Sequence, residues 1–162
     1  MSDWDTGCFV GGRPPDVFKE HLNVGFFAWN NTNQSIPHAT WTYLNLTQKV
    51  YENPVGICNL TTDTFTCSAE GRYVISSQIQ IDCYAGYTNF AIELWKNGAL
   101  FCQTTKWHLY DSIMGSPLVT VDWLVPGDYW KVRIYQDSGL AANLLTANCK
   151  QSHFCAAAVY LV

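Results

Sequence analysis

No block of like charge runs anywhere in the chain, and charged residues make up only 14% of its 162 positions. Its nine Lys and Arg are scattered. No basic stripe is available to neutralise phosphates, which excludes nucleic acid as a partner. A basic helix for a membrane surface is missing for the same reason. No window approaches the roughly 20 consecutive apolar residues of a membrane span. The opening Met1-Ser2-Asp3-Trp4-Asp5 has neither a basic head nor an apolar run, so no export signal is expected.

Signatures of catalysis and of metal binding are missing too. There is no Gly-x-Ser-x-Gly elbow, no phosphate-cradling Gly-x-x-x-x-Gly-Lys and no His-Glu-x-x-His. His21, His38, His108 and His153 fall on separate segments. Asp82, Glu93, Asp111 and Asp122 carry no pairing that marks two of them for acid–base work. The cysteines include no Cys-x-x-Cys, and no acidic cluster suits calcium. The expectation is a non-enzyme without cofactor or metal.

What the chain has in quantity is aromatic and β-branched residues, with seven Trp, nine Tyr and eight Phe. Such residues favour strands. A hydrophobic share of 48% rules out disorder, and the length suits one domain with a sizeable core.

Seven cysteines is a high count for a chain with no expected export signal. Two readings stand. The cysteines form disulfides in a protein made in the cytoplasm that works outside it, as virus particle proteins do; or they are buried thiols acting as small apolar side chains. On the first reading Cys58 pairs with Cys67 across a hairpin, Cys83 with Cys102 across a sheet, and Cys149 with Cys155 at the entry to the last strand. Cys8 is then left over, free or linked to a neighbour.

Residues 1–23 read as an N-terminal arm, because Gly11-Gly12-Arg13-Pro14-Pro15 opposes regular structure. From Val24 onward the pattern is strands and turns. Tyr73, Ile75, Ser77, Ile79 and Ile81 alternate with a mostly polar set through Asp82. Phe90, Ile92 and Leu94 alternate likewise, before an Asn97-Gly98 hairpin turn. Trp130, Val132 and Ile134 alternate with Lys131 and Arg133 after the Pro126-Gly127-Asp128 turn. Val119, Val121 and Trp123 form another such set. No helical period persists beyond about two turns. Many short strands between turns indicate an antiparallel two-sheet sandwich or barrel.

The last strand, His153 to Val162, is apolar on both faces. An antiparallel sandwich strand normally shows one face to water. We therefore read Phe154, Ala156, Ala158, Tyr160 and Val162 as a subunit interface.

The order of these pieces resembles the jelly-roll domain shared by the complement C1q globular head and the tumour necrosis factor superfamily. Phe26-Phe27-Ala28 is similar to the opening strand. Trp41-Thr42-Tyr43-Leu44 and Val50-Tyr51-Glu52-Asn53 are similar to the paired segments that follow. Thr64-Phe65-Thr66-Cys67 and Gly71-Arg72-Tyr73-Val74-Ile75-Ser76 resemble the aromatic strand, Gly-x-Tyr turn and long inner strand. Glu93 to Gly98 resembles the Lys-Asn-Gly hairpin, Val132 to Tyr135 the penultimate strand and Phe154 to Leu161 the closing one. The resemblance covers residues 24–162 and implies a ten-stranded jelly roll forming a homotrimer around its last strand. The segment from Gln103 to Pro117 does not align and reads as an aromatic loop.

Two kinds of partner follow. The first is a virus particle: the trimer is a capsid decoration or cement protein, or a head fibre, of bacteriophage type, located on the virion. The second is a host surface glycan, on which Trp95, Trp107 and Tyr110 would stack. A secreted ligand of the complement or tumour necrosis factor kind is the remaining alternative.

Overall fold

Alternating apolar residues in this chain have to find a common interior, and they do so between two antiparallel sheets. The computed structural model describes residues 24–83, 88–108, 112–145 and 152–162. The expected arm, residues 1–23, lies outside them. Thirteen strands follow in order: β1 (Gly25–Trp29), β2 (Ser35–Ile36), β3 (Thr42–Tyr43), β4 (Gln48–Asn53), β5 (Cys58–Asn59), β6 (Thr64–Thr66), β7 (Gly71–Cys83), β8 (Thr88–Lys96), β9 (Ala99–His108), β10 (Ser112–Leu124), β11 (Tyr129–Gln136), β12 (Ala142–Leu144) and β13 (His153–Leu161).

Sheet A has seven strands. Its body runs β10, β7, β13, β1, β4, and β12 with β2 extends it beside the far end of β7. Sheet B has six, with β5, β6, β11, β8 and β9 in order and β3 alongside β11. First and last described strands are neighbours, as β13 inserts between β1 and β7. All strand pairs among the described residues are antiparallel, so the expected two-sheet jelly roll is the architecture found.

The period-two readings locate the core. Tyr73, Ile75, Ser77, Ile79 and Ile81 of β7 are all buried, as are Phe90, Ile92 and Leu94 of β8 and Trp130, Val132 and Ile134 of β11. At the centre Phe26 stacks on Phe65 at 5.0 Å and meets Phe154 edge-on at 5.0 Å. Aromatic pairs of this geometry add to plain area burial. The β8–β9 turn uses Asn97 and Gly98 at φ 51° and 81°. Both central residues are left-handed, as a type I′ turn requires.

Two local expectations change. The residues from Gln103 to Pro117 are not a loop. They belong largely to β9 and β10, two long strands on either side of residues 109–111. Pro117 also sits inside β10. That position is tolerated because β10 ladders only with β7 and its other edge is unpaired among the described residues.

Candidate functional site

Each sheet presents one outer face, and the two faces differ chemically. On sheet A, opposite residues of neighbouring strands point to the same side. One row across it reads Val121, Val74, Ala157, Gly25, and the next reads Val119, Ser76, Cys155, Phe27, Tyr51. Val119 is 60% exposed and Val121 54%, and Ile113, Tyr51 and Trp123 are exposed as well. Apart from Tyr51 of β4, these apolar side chains belong to β10 and point to water, while Met114, Ser116 and Leu124 of the same strand point inward and are buried. Trp123 and Tyr160 approach to 6.1 Å at the end of the sheet near Arg72.

The last strand divides the expected interface set. Phe154, Ala156 and Ala158 are 0%, 3% and 6% exposed and pack into the sandwich interior. Their side chains are consumed by the chain's own core, so they are not the interface residues. The opposite face of β13 carries Cys155, Ala157 and Val159, of which Ala157 and Val159 are exposed. Tyr160 and Val162 do remain exposed. A register shift between Ala158 and Tyr160 turns the strand's end over, which is why a strict alternation from Phe154 misplaces the set. Gly71 lies opposite Leu161 at that point, and a Cβ there would collide with the Tyr160 carbonyl.

On sheet B the outer face carries a cluster of cations and aromatic rings. Arg133 Cζ lies 4.5 Å from the Trp95 ring centre, 5.1 Å from Trp41 and 5.6 Å from Tyr43. Its Nη1 is 3.8 Å from Glu93 Oε2, which also accepts the Trp95 indole N–H at 2.6 Å. Trp41 packs on Tyr135 at 5.1 Å. Beside the cluster opens a cleft of about 540 Å³, lined by Tyr43, Thr62, Thr64, Thr66, Trp95, Gly98, Gly127, Tyr129 and Lys131. Lys131 Nζ stands 5.2 Å from the Tyr43 ring centre. Of the three expected sugar contacts, Trp95 lines the cleft. Trp107 is 61% exposed on β9 and is not part of its lining, and Tyr110 lies outside the described residues.

Nothing in the sequence marked Tyr43, Tyr129, Lys131 or the three threonines as binding residues. Their spacing carries no motif, because β3, β6, β11 and the residues around them meet only through sheet pairing. The outward β10 valines were visible as an alternating set, but alternation does not say which side is the core.

The cysteines whose side chains are described are thiols. Cys58, Cys67, Cys102 and Cys155 are all free. In the β5–β6 hairpin Cys58 faces Phe65, two residues short of Cys67, so the expected Cys58–Cys67 bridge does not form. The Cys67 thiol instead approaches the Ala69 carbonyl at 3.0 Å. Cys102 faces Leu94 and Cys155 contacts Ser76 Oγ at 2.9 Å, which removes the Cys83–Cys102 and Cys149–Cys155 bridges. The Cys83 side chain, Cys149 and Cys8 lie outside the description. Burial pushes the Cys58 thiol up to about 12 and raises those of Cys67, Cys102 and Cys155. Among the described residues no group of three or more His, Cys, Asp or Glu side chains is placed to hold a metal ion.

No family model matches the chain, and no curated protein does. Among solved structures it is similar to Eiger TNF from S. frugiperda, with a TM-score of 0.63 at 12% identity over 86% of this chain and 94% of that one. It is similar to the globular domain of the zebrafish complement 1qA protein, with a TM-score of 0.62 at 12% identity over 86% and 99%. Murine APRIL matches with a TM-score of 0.62 at 15% identity over 83% and 98%. The fold is therefore the jelly roll of tumour necrosis factor and C1q domains.

Proposed function

We propose that this chain is a non-enzymatic assembly and binding module whose copies associate as a homotrimer through the outer face of sheet A. One observation carries the reading: two adjoining rows of apolar side chains, from Val119 and Val121 through Val74 and Ala157 to Phe27 and Tyr51, stand on the water-facing side. Covering such a face is favourable, and large uncovered ones mark interaction sites. A like copy offers the same apolar surface, and cyclic closure lets every copy cover and be covered. The jelly-roll resemblance implies three copies. Light scattering tests this directly. The expected mass is three times 18.3 kDa, and Val121→Glu should give a monomer with unchanged circular dichroism. A wild-type monomer at micromolar concentration would sink the reading.

The finer proposal places this trimer on a virus particle as a capsid decoration protein. The free thiols Cys58, Cys67, Cys102 and Cys155 take away the disulfide argument for such a particle; they suit a chain kept in a reducing compartment, and the proposal rests on the apolar assembly face alone. A decoration protein should bind the shells encoded beside it and raise their melting temperature. Failure to bind, with the trimer intact, leaves the soluble-ligand reading in its place.

A further inference from the structure

We infer that the cleft on sheet B binds an acidic saccharide, with the sugar ring against Trp95, Tyr43 or Tyr129 and its carboxylate on Lys131. This goes beyond the assembly reading and does not depend on it, since the cleft opens on the sheet opposite the proposed interface.

Three features point to this ligand class. The first is a cation without a carboxylate partner at the cleft wall. Lys49, Lys96 and Arg133 each have a carboxylate within ion-pair reach. Lys131, like Lys106 and Arg72, has none among the described residues, and of these three it is the one that lines the cleft. Asp63 feels its field, yet that carboxylate accepts the Leu46 amide at 2.6 Å instead. An ammonium at the wall of a concavity, held over the Tyr43 ring, is an anion receptor in waiting.

The second feature is the lining. Aromatic walls offer flat faces to the C–H side of a pyranose. Thr62 and Thr66 bring hydroxyls that donate and accept, as sugar hydroxyls do. A purely apolar ligand would strand those hydroxyls, and a bare inorganic anion would leave the rings unused.

The third feature is rigidity. Arg133 stacks on both Trp95 and Tyr43, and Glu93 holds the Trp95 indole. The walls are thus fixed before a ligand arrives, which lowers the ordering cost of binding.

The test is an NMR titration of the intact, isotope-labelled chain. The acidic probe is a tetrasaccharide alternating glucuronate and N-acetylglucosamine; the neutral probe is the N-acetylglucosamine tetramer. Expected are shifts confined to residues lining the cleft, with the acidic probe about tenfold tighter, the weight of one charge-assisted contact. Lys131→Gln should erase that preference and leave the neutral affinity in place. Tyr129→Ala should weaken both probes, its spectrum otherwise unchanged. The proposal is overturned by absence of cleft shifts with either sugar, by a preference that survives Lys131→Gln, or by a tetraglutamate peptide binding as tightly as the acidic sugar.

Discussion

Arg133 sits with its guanidinium carbon 4.5 Å from the centre of the Trp95 ring, and Glu93 touches both residues. The planar cation fills a gap between three aromatic rings while its charge answers a buried carboxylate. A lysine would keep the charge and lose the flat contact. Arg133→Ala should therefore cost about 2–3 kcal/mol, the lost ring contacts and the stranded Glu93 both contributing. Arg133→Lys should recover less than half of that. Urea unfolding of the three proteins decides it, and a Lys variant as stable as the wild type would discard the stacking account.

Phe154 and Tyr160 lie on one strand but belong to different environments. Phe154 meets Phe26 in the core, whereas Tyr160 is 56% exposed. In the monomeric Val121→Glu background, Phe154→Ala should lose about 3–5 kcal/mol through an internal cavity. Tyr160→Ala should stay within about 0.5 kcal/mol there, as a surface change does. Equal losses would mean that the strand's inward face is misassigned.

Asp128 gives a pH signature. Burial pushes its carboxyl upward, but the Asn97 side chain, the Val125 amide and the Lys96 ammonium outweigh that and hold it below the usual range. Those partners lie at 2.7, 3.1 and 3.1 Å. A carboxyl with a depressed folded pKa contributes stability above its unfolded value, and loses it as pH falls through the folded one. Asp128→Asn should cost about 1–2 kcal/mol at neutral pH. The gap to wild type should be flat above about pH 5 and close progressively below about pH 3.9. Thermal melts across that range supply the check; a gap independent of pH would show that the ion pair contributes nothing.

The thiols should be silent until the fold opens. A thiolate is the reactive form, and burial keeps Cys58 and Cys67 protonated. At pH 8 the native protein should leave both unlabelled by an aromatic disulfide reagent, with labelling in guanidinium. Peptide mapping identifies the sites. A reducing agent should leave the melting temperature unchanged; a drop would restore the disulfide reading.

Much of this fold was legible where a strand has one wet and one dry face. The runs from Tyr73, Phe90 and Trp130 announce themselves by period two, and Asn97-Gly98 announces its own turn. Legibility stopped where geometry is not local. Val119, Val121 and Trp123 alternate just as a core set does, yet Leu124 and Met114 on the other side are the buried ones. Only the position of β10 outside β7 decides between them. Likewise one extra residue between Ala158 and Tyr160 reverses the end of β13, and no composition rule foretells a bulge. The cleft was illegible for a further reason: Tyr43 and Lys131 are brought together by the β3–β11 pairing, far apart in sequence.

Pro117 bears on how large an assembly of this chain grows. The outer margin of β10 is a thirteen-residue strand with one side unpaired among the described residues, and a bare margin of that length is a template for another chain's backbone. A proline in its middle has no amide hydrogen to offer there, so a docking strand meets a gap in the ladder. Growth strand by strand into a fibre is blocked, while association face to face is not. The same residue that is merely tolerated within one molecule thus favours, for the proposed trimer, small, closed, countable particles over open-ended growth.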